Sequence, residues 1–558
     1  MSSTVTRTAV SASRHHRRRD VVATFLIACV FAAYVGGGVP DVNETYYLTK
    51  AKHFWNPAWC AGDLFLESEN SHWFFYAITG WLTWFCSLEV YAWIGRLTTW
   101  LLLATAWRSL VVAATGAWGA ALWTAPLLVV LIEHGHLAGE WVVGGFEAKG
   151  ISYSFVFWAL ACGIRGDWPR IWPLLGAATA FHPLVGWWSG ASLAVVCLLQ
   201  RASPSLSNGH LLGTQVLGRW RDHLLPGFAG IALALFGIAP VVLARMQGDG
   251  TAWAEAAEVQ VRIRLAHHLY FPEFSIYRVA AFAVLLAVAS LVWTGSRRFA
   301  NLRTAWHFAV VSLAFSVVGL CLCAVVAEQG AWSAWAGSLL RLYWFRLADV
   351  AVPIAVCLGL ASLVSARWRL ERPNSLVRLW LVSCIALVWS AFGLHLMFRH
   401  NDWRPPADQA ALPSYPDNAL RTWETYRNWR AVCNWIRQST AHTDNFLTPP
   451  AQQTFKWYAQ RPEVFSWKDM PQDDARVVQW WQRAIDVYYR PRHGSNGWFE
   501  YTDEELVELA ERYDADYLVM PQRDFESRTT RLPLVYPADR SQRTAYVVIR
   551  LRSAAETR

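Results

Sequence analysis

The sequence predicts an α-helical protein that crosses a membrane many times and ends in a small α/β domain. Three observations support this fold class. Hydrophobic residues make up 54% of the 558 positions and charged residues only 16%, whereas soluble proteins average about 25% charged residues. Charge is almost absent from several runs that are about as long as a bilayer span. From Arg399 onward the composition becomes that of a soluble chain.

The net charge of +9 does not indicate a nucleic-acid partner. The basic residues fall in short loops between apolar runs, where they set the orientation of membrane helices. The 35 tryptophans suit a membrane–water interface, where one end of the ring is dry and the other wet. Compositional drift remains the alternative explanation for their number.

We expect about eleven spans, placed by apolar length and oriented by the lysines and arginines of short loops. A basic cytoplasmic segment, 1–20, precedes them, and a tryptophan-rich stretch, 72–88, is expected to lie at the interface or to be re-entrant. The expected spans are 21–39, 91–110, 115–133, 150–164, two short helices within 171–200, 224–244, 276–294, 306–327, 342–364 and 377–397.

The topology that follows has a membrane domain, 21–397, with an outside loop at 40–71, and a soluble non-cytoplasmic domain, 398–558. Within 171–200 the break is placed at His182-Pro183, because proline removes a donor and disfavours helix in the residue before it. If 72–88 crosses the membrane and 171–200 is one helix, the loop at 134–149 lies inside instead.

The soluble part alternates predicted helices and strands, which indicates a small α/β layer domain. Helices are expected at 420–438 and 474–489, and a capping box formed by Thr502 and Glu505 opens a third. Strands are expected at 445–450, 517–520 and 546–551. The domain has no glycine-rich phosphate loop, so no nucleotide is assigned to it.

The first outside loop contains the most informative candidates, Asp41, Asn43, Glu44 and Tyr47. Asp41 or Asn43 can cap a helix in which Glu44 and Tyr47 share one face. A carboxylate at the positive end of that helix can take a proton from an acceptor hydroxyl or hold a divalent cation. The alternative is that Asp41 merely caps the helix and Glu44 is solvated.

The second outside loop ends in Glu147 and Lys149, which we select as a pair beside the next helix. Glu133, His134 and His136 offer metal-binding side chains, but histidines two residues apart converge only on a strand or turn. No metal ligand is therefore assigned. His182, at the outer turn, either lines a cavity or serves the turn alone.

A lipid phosphate requires cations, and arginine suits it because its fork donates two parallel hydrogen bonds. One alternative is open: Arg346 and Asp349 are three residues apart on one helical face and can form an ion pair instead. The candidate cations outside the membrane are Arg262, Arg264, His267, His268, Arg341 and Arg346.

The short apolar first helix, its basic flank and the sequence Asn43-Glu44-Thr45-Tyr46-Tyr47 resemble the C-type membrane glycosyltransferases, the GT-C superfamily. This superfamily includes protein O-mannosyltransferases and lipid A aminoarabinose transferases. Its first-loop motif is commonly Asp-Glu followed closely by tyrosine, and Asn43 stands here at the aspartate position. Either Asp41 substitutes, or Glu44 works alone, or catalysis has been lost.

The resemblance implies a transferase that takes a sugar from a polyprenyl-phosphate donor and passes it to a glycan, lipid or protein acceptor. Glu44, with Asp41, would be the base. A divalent cation, Mg²⁺ or Mn²⁺, is left open. The residues expected to contact substrate are Asn43, Tyr47, Glu147, Lys149, His182, Arg262, His267, His268, Arg341 and Arg346.

The expected location is a bacterial inner membrane, with the N-terminus in the cytoplasm. The C-terminal part resembles soluble domains of uncharacterised bacterial multi-spanning proteins, which implies no activity. Two alternatives remain, namely a transporter or exporter of lipid-linked glycans and an inactive scaffold. An exporter predicts paired broken helices, and the sequence offers one such break, at 171–200.

Overall fold

The computed structural model describes residues 2–202, 220–247, 252–368, 375–415, 417–488, 498–539 and 541–552. The α-helices in these ranges are α1 Ser2–Val35, α2 Glu44–Trp55, α3 Trp73–Thr79, α4 Leu88–Thr115, α5 Trp118–Gly135, α6 Ala148–Arg165, α7 Ile171–Phe181, α8 Pro183–Ala202, α9 Leu224–Gln247, α10 Trp253–Glu258, α11 Ala266–Leu269, α12 Ile276–Ser296, α13 Arg303–Ala327, α14 Ser333–Leu340, α15 Arg346–Trp368, α16 Ser375–Arg399, α17 Pro406–Ala411, α18 Ala419–Ser439, α19 Phe455–Ala459, α20 Asp474–Val487, α21 Asp503–Tyr513 and α22 Gln522–Glu526. The strands are β1 Phe446–Leu447, β2 Tyr517–Pro521, β3 Leu534–Tyr536 and β4 Tyr546–Arg550.

The protein is an α-helical, many-spanning membrane protein. Each expected span falls on an α-helix, but only eight helices in the described ranges are long and apolar enough to cross a membrane. The expected break at His182-Pro183 is confirmed, because α7 ends at Phe181 and α8 begins at Pro183. The two halves are unequal. α7 has 11 residues and rises about 16 Å, roughly half of the hydrocarbon core, whereas α8 has 20.

Helix α15 lies at the centre of the bundle, where α5, α12 and α13 pack around it. Its apolar stretch is buried almost completely, whereas α9 and α16 leave most of theirs uncovered. Apolar side chains uncovered by protein are what a helix presents to lipid. We therefore infer that α9 and α16 lie at the lipid-facing edge.

The contact between α7 and α9 depends on glycine. A side chain at Gly176 would meet the backbone of Gly230 at 2.2 Å, and one at Gly237 would meet the carbonyl oxygen of Thr179 at 2.1 Å. Small residues allow membrane helices to approach this closely, and van der Waals packing then holds them together. The pairing positions α7 and therefore the turn that contains His182.

The C-terminal region forms a four-stranded sheet in the order β1-β2-β4-β3. β1 pairs parallel to β2, while β4 runs antiparallel to both β2 and β3. The expected strands correspond to β1, β2 and β4, the expected helices to α18 and α20, and the capping box of α21 is present. Strand β3 was not expected, because its three residues follow no alternating pattern.

The soluble region packs on one end of the helical bundle, which we call the domain face. There the ammonium of Lys456 lies 3.1, 2.9 and 2.7 Å from carboxylate oxygens of Asp63, Glu463 and Asp469. All four side chains are buried. Asp63 belongs to the loop 40–71, so this cluster fixes the soluble region to that loop. We keep the names first and second outside loop for 40–71 and 134–149, after their predicted orientation.

Glu463 makes the stability of this junction depend on pH. Burial raises its pKa from 4.5 to about 7, against the ammonium of Lys456, which lowers it. Glu463 binds its proton more tightly in the folded state than in the unfolded state, where its pKa is 4.5. Protonation therefore stabilises the folded state fully below pH 4.5, and this stabilisation is lost as the pH rises to about 7. We expect the melting temperature of the wild type to fall between about pH 5 and about pH 8.

The variant Glu463→Gln is expected to lose less melting temperature over the same interval, because its amide does not titrate. The measurement is thermal unfolding of the detergent-solubilised protein at both pH values. Exposed Glu424 provides the matched control, and Glu424→Gln should follow the wild type. An equal pH dependence in wild type and Glu463→Gln would show that Glu463 does not carry the effect.

Candidate active site

The first outside loop is anchored by a buried ion pair between Glu44, at the start of α2, and Arg96, on α4. Nε and Nη2 of Arg96 donate to the two Glu44 oxygens at 2.7 and 2.8 Å. The same carboxylate accepts the backbone N–H groups of Asp41 and Phe146, each at 2.7 Å. Both charged side chains are fully buried. Glu44 therefore joins α2, α4 and the second outside loop.

This geometry does not favour the expectation that Glu44 is the base. Its oxygens already accept four hydrogen bonds and the side chain is fully buried, so an acceptor hydroxyl has no access to the carboxylate. The expected cap is also absent, since neither Asp41 nor Asn43 bonds the first turn of α2 through its side chain.

Asp41 presents the more open carboxylate. It is half-buried, and among the described residues its side chain accepts a hydrogen bond only from the N–H of Val42, at 2.6 Å. Its position depends on close approach, because a side chain at Gly145 would meet the Asp41 Cβ at 2.7 Å and a Glu44 oxygen at 2.8 Å. Gly145 thus permits the two outside loops to touch at Asp41.

Glu147 lies beside Asp41 and is linked to the first loop through Asn43. The Asn43 amide donates to Glu147 at 3.2 Å, and the Trp141 indole donates to the other oxygen at 2.6 Å. Burial raises the pKa of Glu147, and the charge of Asp41 raises it further, against Lys149. Glu147 therefore holds a proton more readily than an exposed glutamate.

The expected pair of Glu147 and Lys149 is replaced by a different arrangement around Glu140. The ammonium of Lys149 lies 3.3 Å from Glu140 and 3.5 Å from the centre of the Trp141 ring. Arg346, the first residue of α15, lies 3.4 Å from the other oxygen of Glu140. Two cations thus share one buried carboxylate.

Asp349 forms hydrogen bonds with the second outside loop and not the ion pair with Arg346 that its spacing allows. Asp349 accepts the backbone N–H groups of Leu137, Ala138 and Glu140 at 2.7, 2.9 and 3.2 Å. It therefore holds the loop and does not pair with Arg346. The guanidinium of Arg346 stacks 3.9 Å from the Tyr343 ring centre.

Arg341 and Arg262 lie apart from this group. Arg341 forms a 2.6 Å salt bridge with Asp474 and hydrogen-bonds Gln260, so it fastens α20 to the membrane domain. Arg262 pairs with Glu258 at 3.3 Å and lines a separate cavity of about 300 Å³. Neither geometry favours the expected phosphate role.

The candidate histidines lie close to the group but are neutral. Burial lowers the pKa of His267 to about 4, helped by the Arg264 cation, and lowers the pKa of His268 further, helped by Arg346. His268 is oriented by the Ala138 carbonyl, 2.6 Å from its Nδ1. Neutral imidazoles can donate hydrogen bonds to a phosphate but supply no charge.

His182 and Tyr47 meet through a third side chain, His72. The rings of His182 and His72 are 4.8 Å apart, and the Tyr47 hydroxyl lies 3.3 Å from Nε2 of His72. His182 also accepts the N–H of Val185 at 3.3 Å, within the first turn of α8. His182 therefore stabilises the turn before α8, and it also lies close to the first outside loop.

The soluble region contributes a residue that was not expected, Lys468. Its ammonium donates to the Asn43 side-chain oxygen at 2.7 Å. Burial, helped by the Arg264 cation and opposed by Asp469, Glu147 and Asp41, lowers the pKa of Lys468 to about 8. Nothing in the local sequence marks this lysine, because its partner is more than 400 residues away.

The described residues contain no group of three or more histidines, cysteines or acidic residues that could hold a metal ion. Asp41, Glu147 and Asn43 offer oxygen atoms in the two loops, but the Asn43 oxygen already accepts a hydrogen bond from Lys468. A divalent cation stays an untested prediction.

Known proteins show one local family match and several distant structural likenesses to this chain. Residues 427–487 match a family described as a domain of unknown function, DUF6798. No curated protein matches. Among solved structures, the chain is similar to the Archaeoglobus fulgidus oligosaccharyltransferase in the apo form, with 12% identity over 90% of this chain and 69% of that one and a TM-score of 0.41.

Two further structures show a similar level of likeness. One is the oligosaccharyltransferase AglB from A. fulgidus in complex with an inhibitory peptide and a dolichol-phosphate, at 11% identity, 90% and 69% coverage and a TM-score of 0.45. The other is ArnT from Cupriavidus metallidurans in the apo state, at 14% identity, 97% and 98% coverage and a TM-score of 0.46.

The Glu44–Arg96 pair predicts a large loss of stability when one partner is removed. Glu44→Gln leaves the buried guanidinium without a counter-charge, which costs about 3–5 kcal/mol in the free energy of unfolding. The measurement is unfolding of the detergent-solubilised protein by heat or denaturant.

The matched control is the Arg108–Asp20 pair, whose atoms are 2.7 Å apart and whose carboxylate is 48% exposed. Asp20→Asn should cost less than about 1 kcal/mol, because solvent screens an exposed pair. Similar stability in Glu44→Gln and Asp20→Asn would show that the Glu44 pair does not hold the loop.

Proposed function

We propose that the protein is a membrane glycosyltransferase that moves a sugar from a polyprenyl-phosphate donor to an acceptor at the domain face. One observation carries the proposal. Asn43 bridges Glu147 and Lys468, and the Trp141 indole that donates to Glu147 lies 3.5 Å from Lys149 and 6.0 Å from Arg346, so the Asp41 and Glu147 carboxylates share one region with three cations. An acid–base group next to several cations suits attack on a phosphate-linked sugar.

The basic loops support the proposed orientation. The ends of the spanning helices opposite the domain face carry Arg165, Arg201, Arg297, Arg303 and Arg367. Positive residues in short loops favour the cytoplasmic side, which supports a non-cytoplasmic position for the domain face. A bacterial inner membrane is the proposed location.

In the proposed reaction Asp41 accepts the proton of an acceptor hydroxyl. The hydroxyl oxygen forms a bond to the anomeric carbon as the bond from that carbon to the phosphate oxygen breaks. The electron pair leaves with the polyprenyl phosphate, and in-line attack inverts the anomeric carbon. Glu44 acts as a positioning residue, because it receives the backbone N–H of Asp41.

The leaving phosphate would be held by Arg346, Lys149 and Lys468. Arg346 and Lys149 share the single charge of Glu140, so the group retains positive charge for an anion. Both lie in the first turn of a helix, α15 and α6, where the positive end of the helix dipole adds to the field. Lys468, from the soluble region, is the third cation of this group.

The alternative of an inactive scaffold depends on Asn43, which stands at the aspartate position of the motif. In the structure Asn43 is a bridge, with its oxygen bound to Lys468 and its amide bound to Glu147. In this proposal Asp41, two residues earlier, supplies the carboxylate that the motif would place at position 43. This arrangement favours an active enzyme.

Asp41→Asn is expected to lower sugar transfer by about 10²–10⁴-fold, the usual contribution of a positioned base, without lowering the melting temperature. The assay is transfer in membranes supplied with a panel of labelled polyprenyl-phosphate sugars. Exposed Glu69, in the same loop, provides the matched control, and Glu69→Gln should keep wild-type turnover. Wild-type turnover in Asp41→Asn would remove Asp41 from the mechanism, and no transfer by the folded wild type would overturn the function.

Lys468 predicts a pH dependence of donor use. Since its pKa is about 8, the charge that it offers to phosphate is present below pH 8 and is lost as the pH rises above that value. We expect kcat/KM for the donor to fall above about pH 8 in the wild type. Lys468→Arg, which stays charged, should lack this fall even if its rate is lower overall. The same alkaline fall in Lys468→Arg would assign it to another group.

A further inference from the structure

Helix α18 carries a basic face that the proposed reaction does not use. Its residues recur at intervals of three and four positions and therefore lie along one side of the helix. The opposite side, which includes Trp429 and Ile436, is buried in the soluble region. We call this feature the arginine face, formed by Arg427, Arg430, Asn434 and Arg437.

The arginine face lines a cavity of about 480 Å³ between α18 and the first turn of α4. The guanidinium of Arg430 stacks 4.1 Å from the Tyr458 ring centre and donates to the Tyr426 hydroxyl at 3.1 Å. Arg437 donates to Asn434 at 2.8 Å. These contacts hold the guanidinium groups in position while leaving further N–H donors available.

The cavity has an excess of positive charge. Glu89 is the one carboxylate among its lining residues, against three guanidinium groups. None of the three arginines forms a salt bridge with any residue in the described ranges. An anion that enters the cavity therefore meets three guanidinium groups, whose charge the single Glu89 carboxylate offsets only in part.

The cavity lies at the level expected for lipid headgroups. Glu89 and Val90 are in the first turn of α4 and Trp93 is in the second, and Val90 and Trp93 are 48% and 41% exposed, as lipid-facing side chains are. Trp84 and Phe85, just before the helix, are 63% and 77% exposed. Exposed aromatic side chains at the end of a span mark the membrane–water interface.

We propose that this cavity binds the phosphate of an anionic lipid headgroup and thereby seats α18 on the membrane surface. The recognition is by arginine, whose fork matches phosphate oxygens, and basic side chains near an anionic membrane attract it electrostatically. The ligand chemistry is a phosphate diester carried on a lipid. The inference does not require sugar transfer.

The test measures binding of fluorescent phosphatidylglycerol and phosphatidylcholine to the full-length protein in neutral detergent micelles. The variant Arg427→Gln/Arg430→Gln/Arg437→Gln is expected to bind phosphatidylglycerol more than about tenfold less tightly. Arg421, on the same helix, is exposed and stacks on Tyr415, so Arg421→Gln is the matched control and should bind as the wild type does.

A second variant keeps the test decisive if the triple variant does not fold. Glu89→Gln removes the carboxylate that lines the cavity and should tighten phosphatidylglycerol binding. Unchanged binding in the folded triple variant, or no effect of Glu89→Gln, would overturn the proposal. Equal binding of phosphatidylcholine, or displacement by equimolar glycerol phosphate, would likewise overturn it, the latter by identifying a soluble anion as the ligand.

Discussion

The ion pair between Glu44 and Arg96 is the contact on which the domain face depends. Burying two charges is costly unless each is paired and its remaining hydrogen-bonding groups are satisfied. Here the carboxylate accepts four hydrogen bonds, and the guanidinium also donates to the carbonyl oxygens of Gly37 and Gly38. The pair therefore fixes the end of α1, the start of α2, α4 and the second outside loop at once. The position of Asp41 is a consequence, since its backbone is held by Glu44.

Two kinds of buried charge have different uses in this structure. Glu44 and Asp349 have their oxygens occupied by donors that belong to the fold, so they specify geometry. Glu140 instead faces two cations, Lys149 and Arg346, and leaves positive charge uncompensated. Asp41 has one local hydrogen bond. The residues proposed to act on substrate are therefore those whose charge or hydrogen-bonding groups are only partly satisfied. They lie beside Glu44 and Asp349, whose hydrogen-bonding groups are fully occupied.

The sequence predicted the helices well because span length and apolar composition are local properties. It also predicted the broken helix at Pro183 and the capping box of α21. It failed on partners. The role of Glu44 depends on Arg96, 52 residues away, and that of Asn43 on Lys468, 425 residues away. Residue spacing cannot show such contacts, because the tertiary fold creates them.

The soluble region contributes directly to the proposed active site, because one of its loops supplies Lys468. Lys468 reaches Asn43, while Asp469 and Glu463 on the same segment bind Lys456 and approach the first loop through Asp63. If α18 also rests on lipid phosphate, the position of Lys468 is constrained from two sides, by the membrane surface and by the buried Lys456 cluster. Both constraints come from residues 427–487, the segment that matches a family of its own. This segment contains both the arginine face and Lys468. It therefore acts as one unit, because moving it from the membrane would withdraw Lys468 from the site.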